Sequence, residues 1–93
     1  MEVKKREEGS KGAFFIEIEG VKKAEMTYSK AGDTKIIIDH TEVDDSLRGQ
    51  GAGKTMVMEA VKFAREHEIK ILPLCPFAKS VFDKNQDIRD VVS

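Results

Sequence analysis

The chain has 93 residues, 40% of them apolar, with 16 Lys and Arg against 17 Asp and Glu for a net charge of -1. That length allows one domain with a modest core, and the balanced charge argues against the basic footprint of a nucleic-acid binder. Apolar runs such as Phe14 to Ile16, Ile36 to Ile38 and Met56 to Met58 are far too short to cross a bilayer, so no membrane partner is expected.

The N-terminal stretch MEVKKREEGSKG has basic residues but no apolar segment behind them, so no signal peptide is expected. Glu2 to Glu7 reads as a short charged edge strand, and Glu8 to Gly12 as a turn. In Ala13 to Glu19, Phe14, Ile16 and Ile18 alternate with Phe15, Glu17 and Glu19, the pattern of a half-buried strand. Gly20 to Lys23 reads as a turn. Ala24 to Ser29 alternates again, with Ala24, Met26 and Tyr28 on one side, and Ala31 to Asp33 turns the chain. Lys35 to Val43 is a longer strand rich in isoleucine. Short turns between these strands favour antiparallel neighbours.

The pattern then changes to helical. Val57, Ala60, Val61 and Ala64 recur at helical spacing within Lys54 to Glu68, and Met56 and Phe63 widen the stripe. Ile69 to Cys75 is a second apolar strand interrupted by Pro73, and Pro76 can open a further helix. Gln86 to Ser93 reads as a short turn or a frayed end. The expected fold class is α+β, with a mostly antiparallel sheet and the order four strands, helix, strand, helix. The single cysteine forms no internal disulfide, and a reduced cytoplasmic setting is expected.

Residues 47–55, LRGQGAGKT, join the long strand to the helix. A triphosphate loop needs G-x-x-x-x-G-K-[ST], but the place of the first glycine is taken by Arg48. The dinucleotide pattern G-x-G-x-x-G also fails, because its third glycine falls on Lys54 or Met56. The frame that fits is R-x-x-G-x-G, on Arg48, Gly51 and Gly53.

In this frame, between a long strand and a helix, the chain resembles the GNAT superfamily of acyl-CoA-dependent N-acetyltransferases, whose signature is Q/R-x-x-G-x-G/A. Val43 to Arg48 resembles the superfamily's approach to that loop, KFAREHE the end of its central helix, and Ile69 to Leu74 its fifth strand. Residues 13 to 85 can be laid on the pattern. The usual outer elements have no room, which resembles the minimal, single-domain YjdJ-type branch and suggests one domain over residues 1–93.

The resemblance implies acetyl-CoA as cofactor, held by Val43, Arg48, Gly49, Gln50, Gly51, Ala52, Gly53 and Lys54. The physics agrees. Glycines admit a phosphate close to the backbone, and the first turn of a helix offers unpaired N–H groups to an anion. Arg48 and Lys54 add charge.

The resemblance also implies that the fourth and fifth strands splay apart around the thioester, placing His40, Thr41 and Glu42 on one side and Cys75 on the other. Pro73 suits a splay, because it lacks a ladder donor. Of the family pattern N-x-x-A-x-x-x-Y, Cys75 takes the Asn place, Ala78 the Ala place and Phe82 that of the tyrosine that protonates the leaving thiolate. Phenylalanine has no proton to give.

Cys75 can serve instead, as proton donor or as nucleophile toward the thioester, or it can be a buried structural residue. His40 alternates with Ile36 and Ile38, which places it on their face and within possible reach of the thiol. Glu42 is a candidate water-relayed base for an incoming ammonium, or a partner for Arg48. Two distant histidines and one cysteine make no metal site. The expected activity is acetyl transfer to an unknown amine, on a small molecule, peptide or protein. The alternative is a non-catalytic acyl-CoA-binding or sensing module.

Overall fold

The computed structural model describes residues 1–93. Five strands form one sheet in chain order: β1 (Lys4–Glu8), β2 (Lys11–Ile18), β3 (Val21–Lys30), β4 (Lys35–Val43) and β5 (Lys70–Pro73). The first four are antiparallel, and β5 joins β4 in parallel through the helical crossover α1 (Ala52–His67). Helix α2 (Pro76–Lys84) follows, then a 3₁₀ segment, Gln86–Val91. This is the α+β architecture and element order expected from the sequence.

Period-2 alternation puts Phe14, Ile16, Ala24, Met26, Tyr28, Ile36 and Ile38 on one sheet face, all buried. Met56, Val57, Ala60, Val61 and Ala64 of α1 and Ala78, Val81 and Phe82 of α2 complete the same cluster. The opposite face carries Glu17, Glu25, Thr27 and Ser29 and bears no helix. The only tyrosine has a structural role. Its ring crosses directly over Gly12, where a Cβ would lie 2.3 Å from Cζ, and its hydroxyl donates to Glu7 at 2.7 Å.

Two expectations are corrected by local geometry. Val21 to Lys23 belong to β3, because Glu19 and Gly20 take positive φ (52° and 80°) and close a two-residue hairpin turn. Ile18 is exposed, because it closes β2 at the hairpin turn, opposite the exposed Val21. Of the two readings of the chain end, the short turn holds: Gln86–Val91 is a packed 3₁₀ segment. Ile88 and Val91 are buried, Arg65 holds Asp90 at 2.8 Å, and Ser93 N–H donates to Ile71 at 2.8 Å.

Candidate functional site

The glycine loop forms where β4 hands the chain to α1. Asp44 caps a 3₁₀ turn, Asp45–Leu47, by accepting from the Ser46 N–H at 2.9 Å. Leu47 is buried beneath the loop and anchors it to the core. Gly49 and Gly51 take φ of 81° and 75°, which a side chain adopts only with strain. Gly51 is the N-cap of α1 and supplies no side-chain cap. The N–H groups of Ala52, Gly53 and Lys54 therefore have no intrahelical acceptor, and the helix dipole adds partial positive charge there.

Gly53 is glycine for a different reason. A Cβ there would lie 2.4 Å from Cζ of Phe77, whose ring lies across the first turn of α1.

These residues wall a cleft of about 620 Å³. On one side are Val43, Leu47, Arg48, Gly49 and Gly51 to Lys54, and on the other Phe77, Ser80, Val81, Lys84 and Asn85. The α2 residues follow the spacing i, i+3, i+4, i+7, i+8, which is one helical face. Of the sequence-derived cofactor residues, all but Gln50 line this cleft. Gln50 turns back, its side-chain amide donating to the Ser46 carbonyl at 3.2 Å.

The ionisable groups lining the cleft are Arg48, Lys54 and Lys84, all cationic. Four other clefts each include a carboxylate, such as Glu42 and Asp44 at the end of β4 or Glu7 and Asp33 beside Phe63. This lining fits a polyanionic ligand. Arg48 pairs with Asp45 at 2.7 Å rather than with Glu42, in a solvent-exposed bridge that phosphate can displace at small cost.

Val43 of β4 and Phe77 of α2, which line this cleft, belong to the strand and the helix that flank the end of the β4–β5 pairing. The last β4–β5 pair is Ile38 with Pro73, after which β4 continues to Val43 paired only with β3. The strand β5 stops earlier than its apolar run, because Pro73 and the turn into α2 remove the ladder. The N–H groups of Leu74 and Cys75 both converge on the Ile38 carbonyl, at 3.0 and 3.1 Å. Cys75 is the N-cap of α2, is buried, and its thiol donates to Thr41 Oγ1 at 3.3 Å.

His40 is not on the face of Ile36 and Ile38. A β-bulge between Thr27 and Tyr28 of β3 leaves Asp39 unpaired, so His40 opposes Thr27 while Ile38 opposes Tyr28. Beyond the bulge the faces exchange. Thr41 points toward the core side, opposite Met26, and meets Cys75. His40 and Glu42 stand on the open face, where His40 Nε2 lies 2.9 Å from Glu42 Oε1. Both side chains are mostly exposed. The Phe82 ring, at the place of the family tyrosine, is buried in the core.

The sequence reading gave no site role to Phe77, Ser80, Val81 or Lys84. Their i, i+3, i+4, i+7 spacing was the available signal.

The family model described as GCN5-related N-acetyl-transferase matches residues 13–91. Among solved structures, a GCN5-like protein from Staphylococcus aureus is 39% identical, with a TM-score of 0.75 over 99% of this chain and 87% of its own. A ribosomal-protein-alanine N-acetyltransferase from Brucella melitensis biovar Abortus is 16% identical, with a TM-score of 0.70 over 83% of this chain. A predicted acetyltransferase from Clostridium acetobutylicum, crystallised with acetyl-CoA, is 20% identical, with a TM-score of 0.63 over 81% of this chain. These two share the fold, and the chain spans only 62% and 56% of their lengths. A search of curated proteins gave no match.

Proposed function

This chain belongs to the GCN5-related N-acetyltransferases, an acyl-CoA-dependent family, and on that premise we propose that it binds acetyl-CoA at Arg48 to Lys54 and transfers the acetyl group to an amine. One observation carries the reading. The uncapped N-terminus of α1 opens onto a cleft whose charged lining is wholly cationic and whose walls include Val43 of β4 and Phe77 of α2. The pyrophosphate would accept from the N–H groups of the first turn, and Arg48 and Lys54 would balance its charge.

The helices cover one sheet face, so the acceptor amine reaches the end of the β4–β5 pairing from the open face, where His40 and Glu42 stand. This pair takes the proton of the incoming ammonium through water. The free amine then attacks the acetyl carbonyl, the carbon–sulfur bond breaks, and the departing thiolate takes the Cys75 proton. The Cys75 thiolate recovers a proton from the product nitrogen, and the His40–Glu42 pair passes its proton to solvent, which restores the enzyme. Thr41 orients the thiol. Direct attack, with Cys75 as acid, is favoured over an acetyl-cysteine route because the imidazole lies on the opposite face and is engaged with Glu42.

The test is free-thiol release from acetyl-CoA across a panel of amines, with intact mass recorded in parallel. Amine-dependent release, slowed about 10²-fold in Cys75→Ala, is expected. Saturable binding of acetyl-CoA with no release on any amine would leave the chain a binding module. A persistent acetyl adduct on wild type, absent from Cys75→Ala, would replace direct attack with the covalent route.

A further inference from the structure

We infer that Lys84, at the far end of α2, is the residue that recognises the 3′-phosphate of coenzyme A and so distinguishes CoA from its dephospho form; this rests on the acyl-CoA reading above. Three cations line the cleft and no carboxylate does, in a chain whose overall charge is -1. The ligand has two separate anionic centres, a pyrophosphate and a phosphomonoester carrying about -1.5 to -2 charges at neutral pH.

The first centre has its partners at the loop. Lys54 is in the first turn of α1, beside the free N–H groups, and Arg48 precedes the glycines. The second centre needs a cation elsewhere along the cleft. Lys84 meets that need. It lies seven residues beyond Phe77 on the same helical face, about 10 Å along the axis. It has no carboxylate partner within the structure, whereas Lys79 on the same helix is held by Asp83 at 2.9 Å. The neighbouring polar side chains are already used: Ser80 Oγ donates to the Phe77 carbonyl at 2.7 Å, and Asn85 Nδ2 to the Val81 carbonyl at 2.7 Å. Lys84 is thus the free charge on the α2 wall, opposite the loop.

The experiment is calorimetric titration of the full chain with CoA and with dephospho-CoA at low ionic strength, for wild type, Lys84→Gln, Lys54→Gln and Lys79→Gln. Wild type should bind CoA about fivefold to tenfold tighter than dephospho-CoA, as expected for one charge-assisted contact at a partly exposed site. Lys84→Gln should bring that ratio close to one while leaving dephospho-CoA affinity unchanged. Lys54→Gln should weaken both ligands together and keep the ratio, and Lys79→Gln should match wild type. A ratio that survives in Lys84→Gln, or that collapses in Lys54→Gln instead, overturns the assignment of Lys84 while leaving acyl-CoA binding intact. No saturable binding of either ligand to wild type would refute the acyl-CoA reading itself.

Discussion

Gly53→Ala separates the two reasons for glycine in this loop. The added Cβ would lie 2.4 Å and 2.6 Å from atoms of the Phe77 ring, against an ordinary contact of 3.4 Å or more. The ring must therefore move by about 1 Å, which is within reach of a side chain that keeps 42% of its surface exposed. No core cavity results, so stability should change by less than about 1 kcal/mol. The ring is also a wall of the cofactor cleft, and an aromatic contact is worth about 0.5–1.5 kcal/mol, or roughly twofold to tenfold in Kd.

Calorimetry with CoA, paired with thermal unfolding, reads both effects. Gly53→Ala should weaken CoA within that range with little change in Tm, and it should have no such effect in a Phe77→Leu background. Gly51→Ala should cost stability as well as affinity, because the added methyl would enter the cleft itself. Nothing lies within 4 Å of its Cβ, but φ of 75° makes the side chain strained, at about 1–2 kcal/mol of stability. Equal loss of affinity from Gly53→Ala with and without Phe77, or a stability loss above about 2 kcal/mol, would refute the steric reasoning.

Gly12→Ala should be the more damaging glycine substitution for the fold. The Tyr28 ring it strikes is fully buried and cannot swing away, so a cost of about 2–3 kcal/mol should lower Tm by roughly 10 °C or more. Hydrogen bonds from Lys30 and from Tyr28 hold the Glu7 carboxyl down at about 2, against an ordinary 4.5. Its stabilisation is therefore present above pH 4.5 and is lost as pH falls toward 2. The Tm advantage of wild type over Glu7→Gln should shrink across that window, and a pH-independent gap would contradict it. Thr41→Val should lower kcat about fivefold to tenfold and alter its pH profile while leaving the KM for acetyl-CoA alone, because it removes only the hydroxyl facing Cys75.

Much of the fold was legible because the relevant signals are local. An isoleucine-rich run gave the bounds of β4, Lys35 to Val43, and the R-x-x-G-x-G frame placed the loop at the start of α1. What escaped depends on pairing between distant residues. The position of His40 was read from simple alternation after Ile36 and Ile38, but the Asp39 bulge exists only because β3 pairs in that register. Thr41, adjacent in sequence, inherited the place against the thiol. Phe77 and Lys84 escaped for another reason: a nine-residue helix has a legible stripe, but nothing local tells which wall that stripe will line. Similarly, Gln86 to Val91 has weak local propensity and is fixed by burial of Ile88 and Val91 and by the Arg65–Asp90 pair.

The central claim is that acyl-CoA lies on the first turn of α1, and backbone amide shifts during a CoA titration followed by two-dimensional NMR test it most directly. The account predicts saturable shifts that are largest at Gly49 and at Gly51 to Lys54, extend to Phe77 and Cys75, and are small in β1. Absence of saturation at millimolar CoA, or shifts centred on the cleft beside Phe63 and His67, would contradict it.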